Sequence, residues 1–273
     1  MKKVITIFAT CAVSLVTLGI SNIFNIPHKD IIFTFVSVII LLGGCFILKK
    51  QTKDAKNARR FFKTMPLRMG DFVFAVVTSV IIISSGFILN YLEGLFLGLF
   101  NIKMTPSGIF SMSGSNEMVL LCLIAVIPAI FEELFFRGAV LSALSKKPDI
   151  RAMVWSAVFF TLMHGSLFNI PSTLVAGFVL AAASYWSGSV YVAMLAHFFN
   201  NVLTFLIYIY NDNLAFTGLE TKIIILLVPL LLINVHFFLG MISKKMRKSG
   251  QSQGKMYNEG EKIWIQRREK RGK

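Results

Sequence analysis

Six side chains of this 273-residue sequence are of types that do chemistry and lie inside long apolar runs: Glu132, Glu133, Arg137, His164, His197 and Asn201. Glu132, Glu133 and Arg137 are the charged residues of those runs. A charge near the centre of a bilayer costs about 2.5–3.5 kcal/mol on insertion scales, so three uncompensated ones would cost roughly 7–10 kcal/mol. A cost of that size points to compensation and to a use. Glu133 and Arg137 are four residues apart, share a helix face and can pair. Glu132 is turned about 100° from Glu133 and has no cation on its own helix. A carboxylate in a poorly hydrated site without a cation can exchange a proton near neutral pH, as general base or acid. Pro128, one turn earlier, frees a backbone carbonyl and can kink the helix, opening space beside Glu132.

His197 and Asn201 have the same four-residue relation on a later run, as do Phe160 and His164 on another. Counted at 1.5 Å per residue from the expected cytoplasmic ends, Glu132 and His164 lie about 20 Å deep, His197 about 12 Å and Asn201 about 18 Å. The four overlap in depth. They read as one polar pocket in a helix bundle, functional rather than only a hydrogen-bonded brace between helices. His236 shows no matching polar partner four residues away and is read as a packed, hydrogen-bonded histidine on a peripheral helix.

The elements that must position these groups are membrane helices. The sequence is 55% hydrophobic and 15% charged, with a mean hydropathy of +0.71. Runs near 20 apolar residues recur, each able to cross roughly 30 Å of hydrocarbon. Eight spans are predicted, at 4–24, 31–48, 72–91, 117–145, 151–165, 170–187, 189–210 and 221–243, giving an all-α, polytopic bundle. The fifth and sixth are short and need support from their neighbours. Tyr91–Phe100 prolongs the third span or lies in the interface. The first run, after Lys2 and Lys3, lacks a good cleavage site and is read as an uncleaved span.

The net charge of +15 does not point to nucleic acid, because the basic residues flank the apolar spans. That pattern favours anionic lipid headgroups and sets orientation. With both ends cytoplasmic, the inner segments carry Lys2, Lys3, eight basic residues from Lys49 to Arg68, Lys146, Lys147, Arg151 and eleven from Lys244 to Lys273; the outer ones carry Lys29, Lys103 and Lys222. This places the chain in the cell membrane with one membrane domain over 1–243 and a basic cytoplasmic tail over 244–273. Cys11, Cys45 and Cys122 all lie in apolar runs without CxxC spacing and read as small core residues.

Three strings resemble motifs of the CAAX-prenyl-protease and bacteriocin-processing family, known as CPBP or Abi. Glu132-Glu133-Leu134-Phe135-Phe136-Arg137 is similar to its EExxxR, Phe160-Thr161-Leu162-Met163-His164 to its FxxxH, and His197-Phe198-Phe199-Asn200-Asn201 to its HxxxN. They occur in the family's order, and the resemblance covers about 117–210. It implies an eight-helix core, a chamber opening towards the cytoplasmic leaflet, and peptide-bond hydrolysis in or near the membrane. Glu132 and His164 would activate water, His197 and Asn201 would stabilise the oxyanion, and Glu133 and Arg137 would shape the site. The substrate would be a membrane-associated peptide or protein, prenylated or not. No cofactor is favoured. Zinc held by His164, His197 and a carboxylate such as Glu132 is the other option, but no HExxH is present, and an asparagine suits an oxyanion donor better than a zinc ligand. A proton- or cation-coupled transporter using the same cluster, and a non-catalytic immunity-like protein, are the competing readings. The end of the sequence, Arg271-Gly272-Lys273, is not itself a prenylation signal.

The charge asymmetry makes a direct prediction. Reporter fusions after Asn57 and within the tail should be cytoplasmic, and a fusion at Asn213 external; an external signal from Asn57 would reverse the topology.

Overall fold

The computed structural model describes residues 2–23, 29–51, 67–102, 117–144, 149–166, 168–210, 223–244 and 246–247. Within them lie eight helices, at the places the apolar runs predict: α1 Lys2–Ile23, α2 Lys29–Gln51, α3 Met69–Gly98, α4 Glu117–Leu144, α5 Ile150–Met163, α6 Ile170–Ser187, α7 Val190–Tyr210 and α8 Ile223–Lys244. Helices α2, α3, α4, α6 and α8 are each long and apolar enough to cross a membrane, and α5 and α7 contribute shorter apolar stretches. The molecule is a multi-pass membrane bundle. The Tyr91–Phe100 segment prolongs α3, which runs to Gly98. The proposed tail beyond 247 and the basic segments 52–66 and 145–148 lie outside the described residues.

Local chemistry sets the helix ends. Asp149, after Pro148, accepts a hydrogen bond from the Arg151 N–H at 3.0 Å and caps α5. Asn169 and Gly188 both have left-handed backbones, with φ of 71° and 73°, and bracket α6. The Gly188 N–H turns back to the Ser184 and Tyr185 carbonyls, which closes α6 and starts α7 almost at once. Pro171 occupies the first turn of α6, where no backbone donor is needed.

Two apolar clusters hold the bundle. One joins α3, α6, α7 and α8 through Phe74, Ile82, Leu180, Val192 and Phe238. The other joins α1, α2, α4 and α5 through Ile7, Leu48, Phe135, Phe136 and Phe160. The clusters meet where α4 and α5 pack on α6 and α7. Association in lipid has little hydrophobic drive and depends on close packing, so small residues line this seam. A side chain on Gly177 of α6 would meet Ala157 Cα at 3.0 Å and Phe160 Cδ1 at 3.2 Å on α5. That fit is the neighbour support the short α5 requires.

One expectation needs correction. His236 is not packed: it is exposed on α8, edge-on to Phe237 with 6.3 Å between ring centroids. Only 6% of the α8 span is buried within the bundle, so most of its residues face lipid whatever their polarity.

Gly177→Ala should destabilise the protein by about 1–3 kcal/mol through overpacking against Ala157 and Phe160. Thermal unfolding in lipid nanodiscs measures this; an unchanged midpoint would mean that α5 and α6 are not tightly seated.

Candidate active site

α4 is not a regular helix. Cys122–Val126 and Leu134–Val140 are π-helical, on either side of the α-helical stretch Ile127–Glu133. The Ile127 N–H reaches back five residues to Cys122 O, and the Leu141 N–H to Phe136 O. Such wide turns cluster at functional sites. Here they flank the acid pair, and neighbouring helices donate to carbonyls of both. Ser156 of α5 donates its hydroxyl to Phe136 O at 3.3 Å. Pro128 cannot donate to the Ile124 carbonyl four residues back, and Asn201 Nδ2 of α7 donates to that oxygen at 3.1 Å.

Glu133 lies behind the site, fully buried. Its Oε1 accepts from Arg137 Nη1 at 2.7 Å and from His197 Nδ1 at 2.9 Å. Arg137 Nη2 donates to the Gly177 carbonyl of α6 at 2.9 Å. The guanidinium lies 4.5 Å from the Phe160 ring centroid, a favourable cation–π contact in a dry setting. One ion pair therefore ties together α4, α5, α6 and α7. The i,i+4 pairing read from the sequence is present. The bond to His197 is not visible in sequence, because it crosses 64 residues.

Glu132 faces the other way. It is half-buried, and among the described residues its buried Oε2 has no hydrogen-bond partner. It lines a cavity of about 350 Å³ together with His164, His197 and Asn201. The four residues expected to share a depth thus share one cavity. His164 caps α5 and bonds through Nδ1 to the Phe160 carbonyl at 2.8 Å. A carbonyl only accepts, so Nδ1 carries the proton in the neutral ring and Nε2 keeps its lone pair. His197 is held at Nδ1 by Glu133, and its Nε2 is the nitrogen left for other partners. Asn201 spends one N–H on Ile124 and accepts from Asn200 Nδ2 at 3.0 Å, keeping a second N–H.

The opposite wall comes from helices outside the motif-bearing region. Phe33, Thr34, Ser37, Val38 and Leu41 of α2, with Ser14 of α1, line the same cavity. Ser14 is 2% exposed, and its Oγ has no partner among the described residues. A peptide group or a water in the cavity would satisfy it. Sequence reasoning missed this wall, because serine and threonine in membrane helices usually bond their own backbone, as Thr10 does to Thr6 O at 2.8 Å. It also missed Phe160 as a hub and Gly177 as an acceptor. Among the described residues no three His, Cys, Asp or Glu side chains are grouped to hold a metal ion.

The fold and site thus define a class: a multi-pass helical membrane protein with a buried ion pair behind a half-polar chamber. Residues 114–203, about a third of the chain, match the family model of Type II CAAX prenyl endopeptidase Rce1-like proteins. The match is consistent with the CPBP/CAAX protease family and supports a CAAX-type intramembrane protease in general, acting on a membrane-associated protein or peptide. No curated protein and no solved structure matches the chain.

Arg137→Ala would leave Glu133 buried with no full-time cation. Removing one partner of a buried pair costs about 3–5 kcal/mol. Folded yield and thermal stability should both fall. A variant as stable as wild type would show that the pair is not what holds these helices.

Proposed function

We propose that the chain is an intramembrane endopeptidase in which Glu132 is the general base. The observation that carries this reading is the one cavity shared by Glu132, His164, His197 and Asn201, with Glu132 Oε2 unpartnered. A water between Glu132 and His164 Nε2 attacks the scissile carbonyl and gives its proton to Glu132. The carbonyl oxygen becomes an oxyanion. His197 Nε2, when protonated, and the spare N–H of Asn201 donate to it; the His197 Nδ1 bond to Glu133 and the Asn201 bond to Ile124 hold both donors in place beforehand, which is where preorganised electrostatic stabilisation gains over water. Collapse of the tetrahedral intermediate breaks the C–N bond, and the leaving amine takes the proton from Glu132. Glu133 and Arg137 are positioning residues that fix the His197 ring.

This chemistry uses the chain's own donors and acceptors. The substrate is a membrane-associated peptide or protein, prenylated or not, lying extended against the apolar faces of α2 and α4. Anionic membrane lipids surround the basic segments.

The test is peptide cleavage by purified protein in lipid, against a quenched-fluorescence library of apolar peptides. Glu132→Gln keeps size and hydrogen bonding, so the protein should fold while cleavage drops by at least ~10²–10⁴-fold, the effect of losing a general base. Asn201→Ala should cost roughly 10²–10³-fold, and His236→Ala little. Exhaustive chelation should leave the rate unchanged. A folded Glu132→Gln protein with wild-type cleavage overturns the assignment, as does activity lost with zinc and restored by it. A carrier would instead show solute or ion flux with no peptide cut by any variant.

A further inference from the structure

The chamber lies at the end of the bundle away from the α4–α5 turn. α5 starts at the same end as α4 finishes, because only 145–149 separate them. From that end α4 extends 28 residues, about 42 Å, whereas α5 stops after 14 residues, about 21 Å. His164 caps α5 there, level with Glu132, twelve residues or about 18 Å from Leu144. Beyond that level α5 contributes no wall, and the recess it leaves is the cavity. The α2 and α4 side chains lining it, from Leu41 up to Phe33 and from Glu132 up to Leu123, continue away from the α4–α5 turn. On α7 the lining runs from His197 to Thr204 in the same direction.

The charges mark which end this is. Lys2, Lys3 and Lys50 border a shallow groove with Ala143 and Leu144 at the opposite end of the bundle. By sequence, the segments joining helices at the basic end also carry the run from Lys49 to Arg68, Lys146, Lys147 and Arg151. The segments at the chamber end, 24–30, 99–117, 164–169 and 211–222, carry Lys29, Lys103 and Lys222 against Asp30, Glu117, Asp212 and Glu220. Basic residues stay on the cytoplasmic side. The cytoplasmic opening that the family resemblance implies and the charge pattern of this chain therefore disagree.

We infer that the chamber opens to the extracytoplasmic leaflet, and that its substrates are translocated or membrane-spanning polypeptides rather than prenylated ends of cytoplasmic proteins. The substrate class rests on the endopeptidase reading; the direction of opening does not. A peptide arriving from outside passes Thr204 and Phe33 before it reaches Glu132.

The experiment measures side-specific access, not turnover. Ser37→Cys and Thr204→Cys are placed singly in full-length protein with Cys122→Ser; Cys11 and Cys45 are buried and stay. Membrane-impermeant sulfonatoethyl methanethiosulfonate is added to right-side-out and to inverted membrane vesicles. Asn57→Cys and Asn213→Cys calibrate the two faces. Both chamber cysteines should label at least tenfold faster in right-side-out vesicles, as Asn213→Cys does. Faster labelling in inverted vesicles, or equal labelling from both faces, overturns the inference. So does protection from both faces when detergent-solubilised protein labels freely, because the chamber is then closed to the outside. If the variants do not fold, the same comparison is read on the unsubstituted chain at Cys122, which is exposed in the same half of α4; labelling there from the inner face sinks the proposal. Absence of peptide cleavage by the unsubstituted protein, with outward labelling intact, would instead overturn the endopeptidase reading and leave the direction standing.

Discussion

A single carboxylate oxygen, Glu133 Oε1, accepts from both Arg137 and His197 in a site with no exposure to solvent, and the arrangement of four helices depends on it. An ionised glutamate and an arginine moved out of water carry a desolvation penalty of several kcal/mol each, returned only if their geometry and remaining hydrogen bonds are good. Here the guanidinium also bonds the Gly177 carbonyl and lies over Phe160, while Glu133 Oε2 and Arg137 Nε have no partner among the described residues. The same bonds orient the imidazole of His197, so the interaction that joins the helices also aims a side chain that lines the cavity. Glu132, one residue earlier, is excluded from that arrangement by helix geometry alone; it lines the cavity, and its Oε2 has no partner among the described residues.

The division of labour between the two glutamates is legible in the sequence, because one residue of helix turns a side chain by about 100° and four bring it back to its partner. The spans are legible for the same reason that they exist: each must satisfy its backbone internally and present apolar side chains to lipid. Contacts between helices are less so. Pro128 announces a carbonyl without a donor, yet nothing in the local sequence says that Asn201, 77 residues away, donates to Ile124. The π-helical turns of α4 have no sequence signature, since a wide turn changes no periodicity that composition can report. His236 was read as packed because polarity in a span suggests burial; its exposure on α8 shows that an unpartnered face of a peripheral helix escapes that rule.

All six side chains read as chemical fall within the segment that matches the Rce1-like family, 114–203. The facing wall, from Ser14 to Leu41, falls before it. The chamber is thus built from two stretches of chain, one inside the matched segment and one before it. Length also matters: α5 is short enough to end beside Glu132, and that ending is what turns a packed seam into a chamber.

The two wide turns of α4 have a mechanical meaning. Each shifts the angular register of everything beyond it, so the seven residues from Ile127 to Glu133 form a middle section clocked independently of both ends. The N-terminal section, with Ile124, is indexed to α7; the C-terminal section, from Leu134 on, is indexed to α5 through Ser156. Small rotations of either end can be absorbed at a wide turn before they reach the acid pair. α4 works less like a rigid rod than like a shaft with two couplings, and the bearing of Glu132 is set by its own section rather than by the whole helix.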